Sequence, residues 1–237
     1  MFTAKPDIEI AGFFAAIFAW GNRTTIINKT RELMQLMNMQ PHQFVLHYGQ
    51  KDIARLNTFK HRTFCFDDLL YFIEFFREHY THNKSLETAF SGGIQPGDTS
   101  VENALNHFRK YFFAAEHLKR TEKHIASPEQ NSACKRINMY LRWMVRKDDR
   151  GVDFGIWNSL QPAQLICPLD VHVAKTARKL GLLKRKQNDW AAALELTGAL
   201  RKFDKADPVK YDFALFGMGV GTMNMPAEAS AKAGNEY

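Results

Sequence analysis

The chain has 237 residues, enough for one large domain or two small lobes with a real core. Its 45 % hydrophobic and 24 % charged residues are those of an ordinary soluble globular protein. A formal charge of +7 and a pI near 9.3 favour a polyanionic partner over an acidic one, although a solvated basic face gives the same balance. Cys65, Cys134 and Cys167 are too few and too scattered for a disulfide framework or a zinc ribbon, which points to a reducing, cytoplasmic setting. The opening "MFTAKPDIEI" carries no signal-peptide pattern, and "IAGFFAAIFAW" is far too short to span a bilayer.

In chain order, helical periodicity dominates and strand alternation is hard to find. Asp7 is placed to cap a first helix over "IEIAGFFAAIFAW", which the pair Gly21-Asn22 ends. "RTTIINKTRELMQLM" forms a second helix, and Pro41 opens a short one ending near Gly49. In "FDDLLYFIEFFREHY" the residues Phe66, Leu69, Leu70, Ile73 and Phe76 share one apolar face. "SGGIQPGD" at 91–98 reads as a loop, after which Asp98 or Thr99 caps "VENALNHFRKYFFAAEHLKR". A turn at Pro128 precedes "SACKRINMYLRWMVRK", with Ser132 as its cap. "DDRGVDFGIW" is a loop, followed by short helices and by "NDWAAALELTGALRKF". A last helix starts at Asp207-Pro208, cap and first-turn proline in their preferred order. The tail "NMPAEASAKAGNEY" is small, polar and expected to be disordered. The architecture reads all-α, without internal repeats.

Two helices carry candidate chemistry. Winding the one after Ser132 at about 100° per residue puts Lys135, Met139, Arg142 and Arg146 on one stripe. Ile137, Leu141 and Met144 fall on the opposite stripe. This is a basic line over a buried side, either a set of phosphate contacts or a face of snorkelling cations. In "LICPLDVHVAKTARKLGL", Asp170 takes the N-cap position and Gly181 the C′ stop. An N-cap Asp ordinarily satisfies free amides, for about 1 kcal/mol. His172, in the first turn, sits where amides and the positive end of the helix dipole hold phosphate, although such a His also caps or packs.

Taken together, "CKRINMYLRWM" and "CPLDVHVAKTARKLGL" resemble the active-site region of the helix-hairpin-helix DNA glycosylases. Lyase-competent members carry a Lys at the start of the helix after the hairpin, then a Pro-Val-Asp-x-His segment opening another helix. Lys135 and Pro168-Leu169-Asp170-Val171-His172 match those positions. The similarity is greatest to the 8-oxoguanine glycosylase branch, and the spacing of 35 positions from Lys135 to Asp170 is similar to that of its archaeal members. "ALRKFDKADPVKYDFALFGMGV" resembles the closing helix pair of the superfamily, and "IAGFFAAIFAWGNRTTIINKT" its opening helix and intercalating turn. The whole chain also resembles a bacterial family of uncharacterised proteins assigned to that superfamily. The resemblance implies a two-lobed helical fold with a cleft between the lobes, spanning about residues 1–224. Residues of about 34–145 would form a central lobe, and both termini the other, with 225–237 as tail.

Two departures stand out. The hairpin of better-known members reads Leu-Pro-Gly-Val-Gly-x-Lys, whereas this chain has the glycine-free "SPEQNSACK". The four cysteines of an iron–sulfur cluster after the final helices are absent, so no cofactor is expected.

The function implied by the resemblance is base-excision repair of an oxidised purine, 8-oxoguanine, by a glycosylase with abasic-site lyase activity. Lys135 would attack C1′ and form a Schiff base, and Asp170 would face the positive charge developing on the sugar. Bringing the Lys135 pKa near 7–8 means about three units, or ~4 kcal/mol, of bias against its ammonium. Burial with Arg136 and Arg142 would push that way, and Asp170 would oppose it. His172, Asn22, Arg23, Arg136 and Arg142 would contact DNA. The expected partner is double-stranded DNA with a damaged base, bound by a nucleoid-associated cytoplasmic monomer with no membrane contact. Two alternatives remain: a DNA-binding protein that kept the fold without the chemistry, and a metal-dependent hydrolase built on His79 and His82 beside Glu78.

Overall fold

The computed structural model describes residues 2–149 and 151–221. The expected tail at 224–237 lies outside them. Among the described residues the fold is helical, and β-pairing is limited to isolated bridges at His61–Phe64, Ser132–Asp189 and Lys147–Phe154. The all-α expectation holds. Two compact units divide the chain: Met1–Ile94 with Ala104–Ala126, and Gln95–Asn103 with Ser127–Tyr237. The N-terminal residues therefore group with 34–94, and the segment from Ser127 to 145 belongs to the second unit, unlike the expected central lobe.

In the first unit, α1 (Lys5–Phe18) starts before Asp7, because Pro6 is tolerated in a first turn that needs no donor there. The Asp7 carboxylate instead accepts the His42 amide (2.9 Å) at the start of α3 (Pro41–His47). Asn22 caps α2 (Arg23–Leu36) as expected. The short α4 (Gln50–Leu56) had no counterpart in the sequence reading. Gly49 is its N-cap and not only the end of α3, and its amide donates to Asp52 (3.0 Å). On α5 (Phe66–His82) the apolar face widens into Leu69, Phe72, Ile73, Phe75 and Phe76. Phe13 of α1 meets Phe76 edge-on at 5.5 Å, and Phe72 meets Phe112 at 4.8 Å.

Two buried acids sit in this aromatic core. Glu9 accepts from the Tyr80 hydroxyl (2.9 Å), the Ser85 hydroxyl (2.5 Å) and the Leu86 amide (3.1 Å). Burial opposes ionisation of Asp68, but His124, the Cys65 amide and Thr121 together hold its carboxyl well below the usual range. After α6 (Glu87–Ser91), α7 spans only Glu102–Phe112, shorter than the predicted run to 120 and capped by neither Asp98 nor Thr99. Arg109 instead grips the following 3₁₀ turn (Lys119–His124) through the Glu122 carboxylate (2.7 Å) and carbonyl (2.9 Å).

The second unit holds α8 (Lys135–Val145), α9 (Val171–Lys179), α10 (Trp190–Arg201) and α11 (Asp212–Gly219). Asp207 does not start the last helix. It binds Arg146 Nε through both oxygens (2.9 and 2.8 Å), and a 3₁₀ turn at Pro208–Tyr211 precedes α11. The helices α9 and α11 pack closely. A Cβ on Gly219 would lie 2.7 Å from the His172 carbonyl oxygen, so only glycine permits that approach. Gly219→Ala should therefore destabilise the protein by about 1–3 kcal/mol in urea unfolding. Gly198→Ala, in the interior of α10 with open space around it, should stabilise by about 0.5–1 kcal/mol.

Candidate functional site

The approach to Lys135 is a tight reversal without glycine. A 3₁₀ turn at Pro128–Gln130 leads to Asn131 at φ +56°, and Cys134 follows at φ +49°. Asn tolerates the left-handed region through its short polar side chain, while Cys there costs roughly 1–2 kcal/mol. Ser132 caps this turn, not the helix: its hydroxyl accepts the Cys134 amide (3.1 Å), and Cys134 is the residue in N-cap position. The reversal starts α8 with Lys135 as its first residue.

Lys135 is half-buried. Burial pushes its pKa below the ordinary lysine value, the Asp170 and Asp212 carboxylates pull it back up, and Arg136 pushes it down. The amine and the Asp170 carboxylate therefore lie within electrostatic reach of each other, in one unit. Asp170 is the N-cap of α9, as the sequence indicates. Its Oδ1 accepts the amides of His172 and Val173, both at 2.9 Å. Pro168 and Leu169 are buried before it and fix the entry of the helix. Gly181, at φ +70°, ends α9 as expected.

Asp212 was not singled out in the sequence. It is the first residue of α11, buried, and its Oδ2 accepts from Arg142 (2.6 Å). Burial pushes its carboxyl up to about 6, with Arg142 and Lys135 opposing and Asp170 adding to the rise. Behind these groups, burial also raises the Cys167 thiol. The acid could not be found from spacing, because its partner sits 70 residues earlier in the chain.

Arg142 overturns the expected DNA contact. Only 2 % exposed, it pairs with Asp153 (3.1 Å) and Asp212 (2.6 Å), and the Phe213 ring stacks on its guanidinium at 4.0 Å. Arg146 likewise pairs with Asp153 and Asp207. The predicted basic line is thus neutralised by acids from loops, which the helical wheel cannot show. Arg136 is half-buried, and burial lowers its pKa.

His172 is exposed, with its ring edge-on to Phe216 at 5.9 Å. In the other unit, Asn22 accepts the Thr25 amide (3.2 Å), an ordinary cap, and Arg23 is exposed. The turn before them is held by Arg62 stacked on Trp20 at 4.3 Å. The metal alternative fails at His79, whose ring nitrogens lie against Tyr111 Oη (3.0 Å) and the Ser85 carbonyl (2.9 Å). Among the described residues no cluster of His, Cys, Asp and Glu could hold a metal ion.

A family model described as "Protein of unknown function (DUF2400)" matches residues 1–221. The chain belongs to that family. No curated protein and no solved structure matches it. Among the described residues no helix is long and apolar enough to cross a membrane.

Removing the Arg142 charge leaves two buried carboxylates facing each other. Arg142→Met should cost about 3–5 kcal/mol at pH 7 in urea unfolding. The variant's Asp212 pKa rises further above its unfolded value, so it favours the folded state below about pH 4 and that contribution is lost as pH rises through the folded pKa. The deficit against the parent should therefore shrink at pH 5. An equal deficit at both pH values would contradict the assignment.

Proposed function

We propose that this protein is a DNA base-excision glycosylase with abasic-site lyase activity, acting on an oxidised purine, 8-oxoguanine, through a Lys135 Schiff base. One observation carries the reading: a lysine whose ammonium is disfavoured by burial stands at the start of a helix, within reach of an N-cap carboxylate. The Lys135 lone pair would attack C1′ of the extruded nucleotide while the C1′–N bond breaks and the base departs with its electron pair. Held by two backbone amides, the Asp170 carboxylate would stabilise the positive charge on the sugar as that bond lengthens. Opening of the sugar ring leaves an iminium, and loss of a C2′ proton then expels the 3′ phosphate.

The two-lobed glycosylase arrangement, a monomer on double-stranded DNA, and contacts from His172, Asn22, Arg23 and Arg136 belong to this proposal. The basic charge supports it at the level of a polyanionic partner. A second reading, DNA binding without catalysis, draws on the glycine-free hairpin, where Ser132 and Ala133 carry side chains.

Borohydride treatment with duplexes containing 8-oxoguanine or an abasic site separates the two. A covalent adduct should form with the parent protein. Lys135→Gln should abolish it while DNA binding persists, and Asp170→Asn should slow base release about 10²-fold or more. Absence of an adduct on every lesion and on abasic DNA, with binding intact, would leave only the second reading.

A further inference from the structure

Two carboxylates act on the Lys135 amine, and their surroundings differ. Asp170 is half-exposed, with Oδ1 engaged by two helix amides. Asp212 is buried and engages Arg142 through Oδ2 only, so its Oδ1 takes no hydrogen bond among the described residues. Lys135 and Arg142 are seven residues apart, two turns along one face of α8, and the α11 carboxylate is anchored on that face by Arg142. Burial penalises the ammonium and the carboxylate alike. Moving one proton from the first to the second removes both charges from the interior at once.

We propose that Asp212 is the acid–base partner of Lys135 in Schiff-base formation. Its Oδ1 takes the proton from the Lys135 ammonium, leaving a neutral amine. The amine lone pair then adds to an aldehyde carbon, and the carbonyl oxygen takes up the proton that nitrogen sheds. Asp212 returns its proton to the resulting hydroxyl, which leaves as water while the nitrogen lone pair forms the C=N bond. The charged groups facing this pair are Asp170 and Arg136 around the amine, and Arg142 and Asp170 around the carboxylate, with the buried Cys167 thiol behind. The inference rests on the Schiff-base reading, but it concerns the amine itself and is testable without DNA.

The experiment is reductive labelling of the folded protein with formaldehyde and cyanoborohydride. The rate at Lys135 is resolved by mass spectrometry from pH 5 to 9, in parallel with cyanoborohydride trapping on abasic DNA. Because a single proton shared by the pair is the reactive state, the parent rate should rise through pH 6, where Asp212 ionises, and then level off. Asp212→Asn, whose amide oxygen can still accept from Arg142, should label at least about tenfold more slowly at pH 7 and keep climbing with pH. Asp212→Glu should restore the plateau, and it serves as the informative variant if the Asn protein does not fold. Faster labelling of Asp212→Asn at pH 7 would overturn the proposal, since the acid would then only hold the amine protonated. An Asp212-dependent plateau with formaldehyde, without any adduct on abasic DNA, would uphold this pairing and sink the repair-enzyme reading alone.

Discussion

The second unit depends on a full positive charge carried into its interior. Arg142, on the otherwise apolar side of α8, is held by carboxylates from the loop after that helix and from the first turn of α11. Burying an unpaired guanidinium would cost several kcal/mol, so the loop and α11 are bound to bring Asp153 and Asp212 to it. Planar donors suit this task, because a guanidinium reaches two acids and still offers a face to the Phe213 ring. The anchoring has a chemical by-product. It sets a buried carboxylate beside the helix whose first residue is Lys135.

Around that anchor the two acids of the site diverge. The Asp170 carboxylate is served by free amides at a helix N-terminus, a place that favours negative charge. Asp212 loses water and shares its guanidinium with Asp153, so its proton is held up to about pH 6. Paired carboxylates with unequal environments are the usual means by which one site holds both a permanent anion and a proton carrier near neutral pH. Gly219 contributes at a distance, since only its missing side chain lets α11 close on the first turn of α9.

Legibility in the sequence followed the range of the interactions. Asp170, Gly181 and Asn22 declare themselves because caps and stops are satisfied within three or four residues. Lys135 was legible only through a remembered motif and its spacing to Asp170, and its half-burial was not. Arg142 was misread, because a helical wheel sorts residues by angle and cannot tell a solvated cation from one whose acids arrive 11 and 70 residues later. Asp212 stayed hidden for the same reason. The hairpin shows a different limit: glycine is the usual mark of a left-handed turn, yet Asn131 and Cys134 adopt one here. The short α4 was lost because Gly49 reads as a terminator, although it also begins a helix.

The central claim is that the amine at 135 is electrostatically coupled to the carboxylate at 170 within a partly desolvated site. The most direct measurement is an NMR titration of Lys135, its amine marked by ¹³C-methylation. The account predicts a midpoint below that of an ordinary lysine, moving further down in Asp170→Asn, since the carboxylate sustains the ammonium. An ordinary midpoint, unmoved by that substitution, would contradict it.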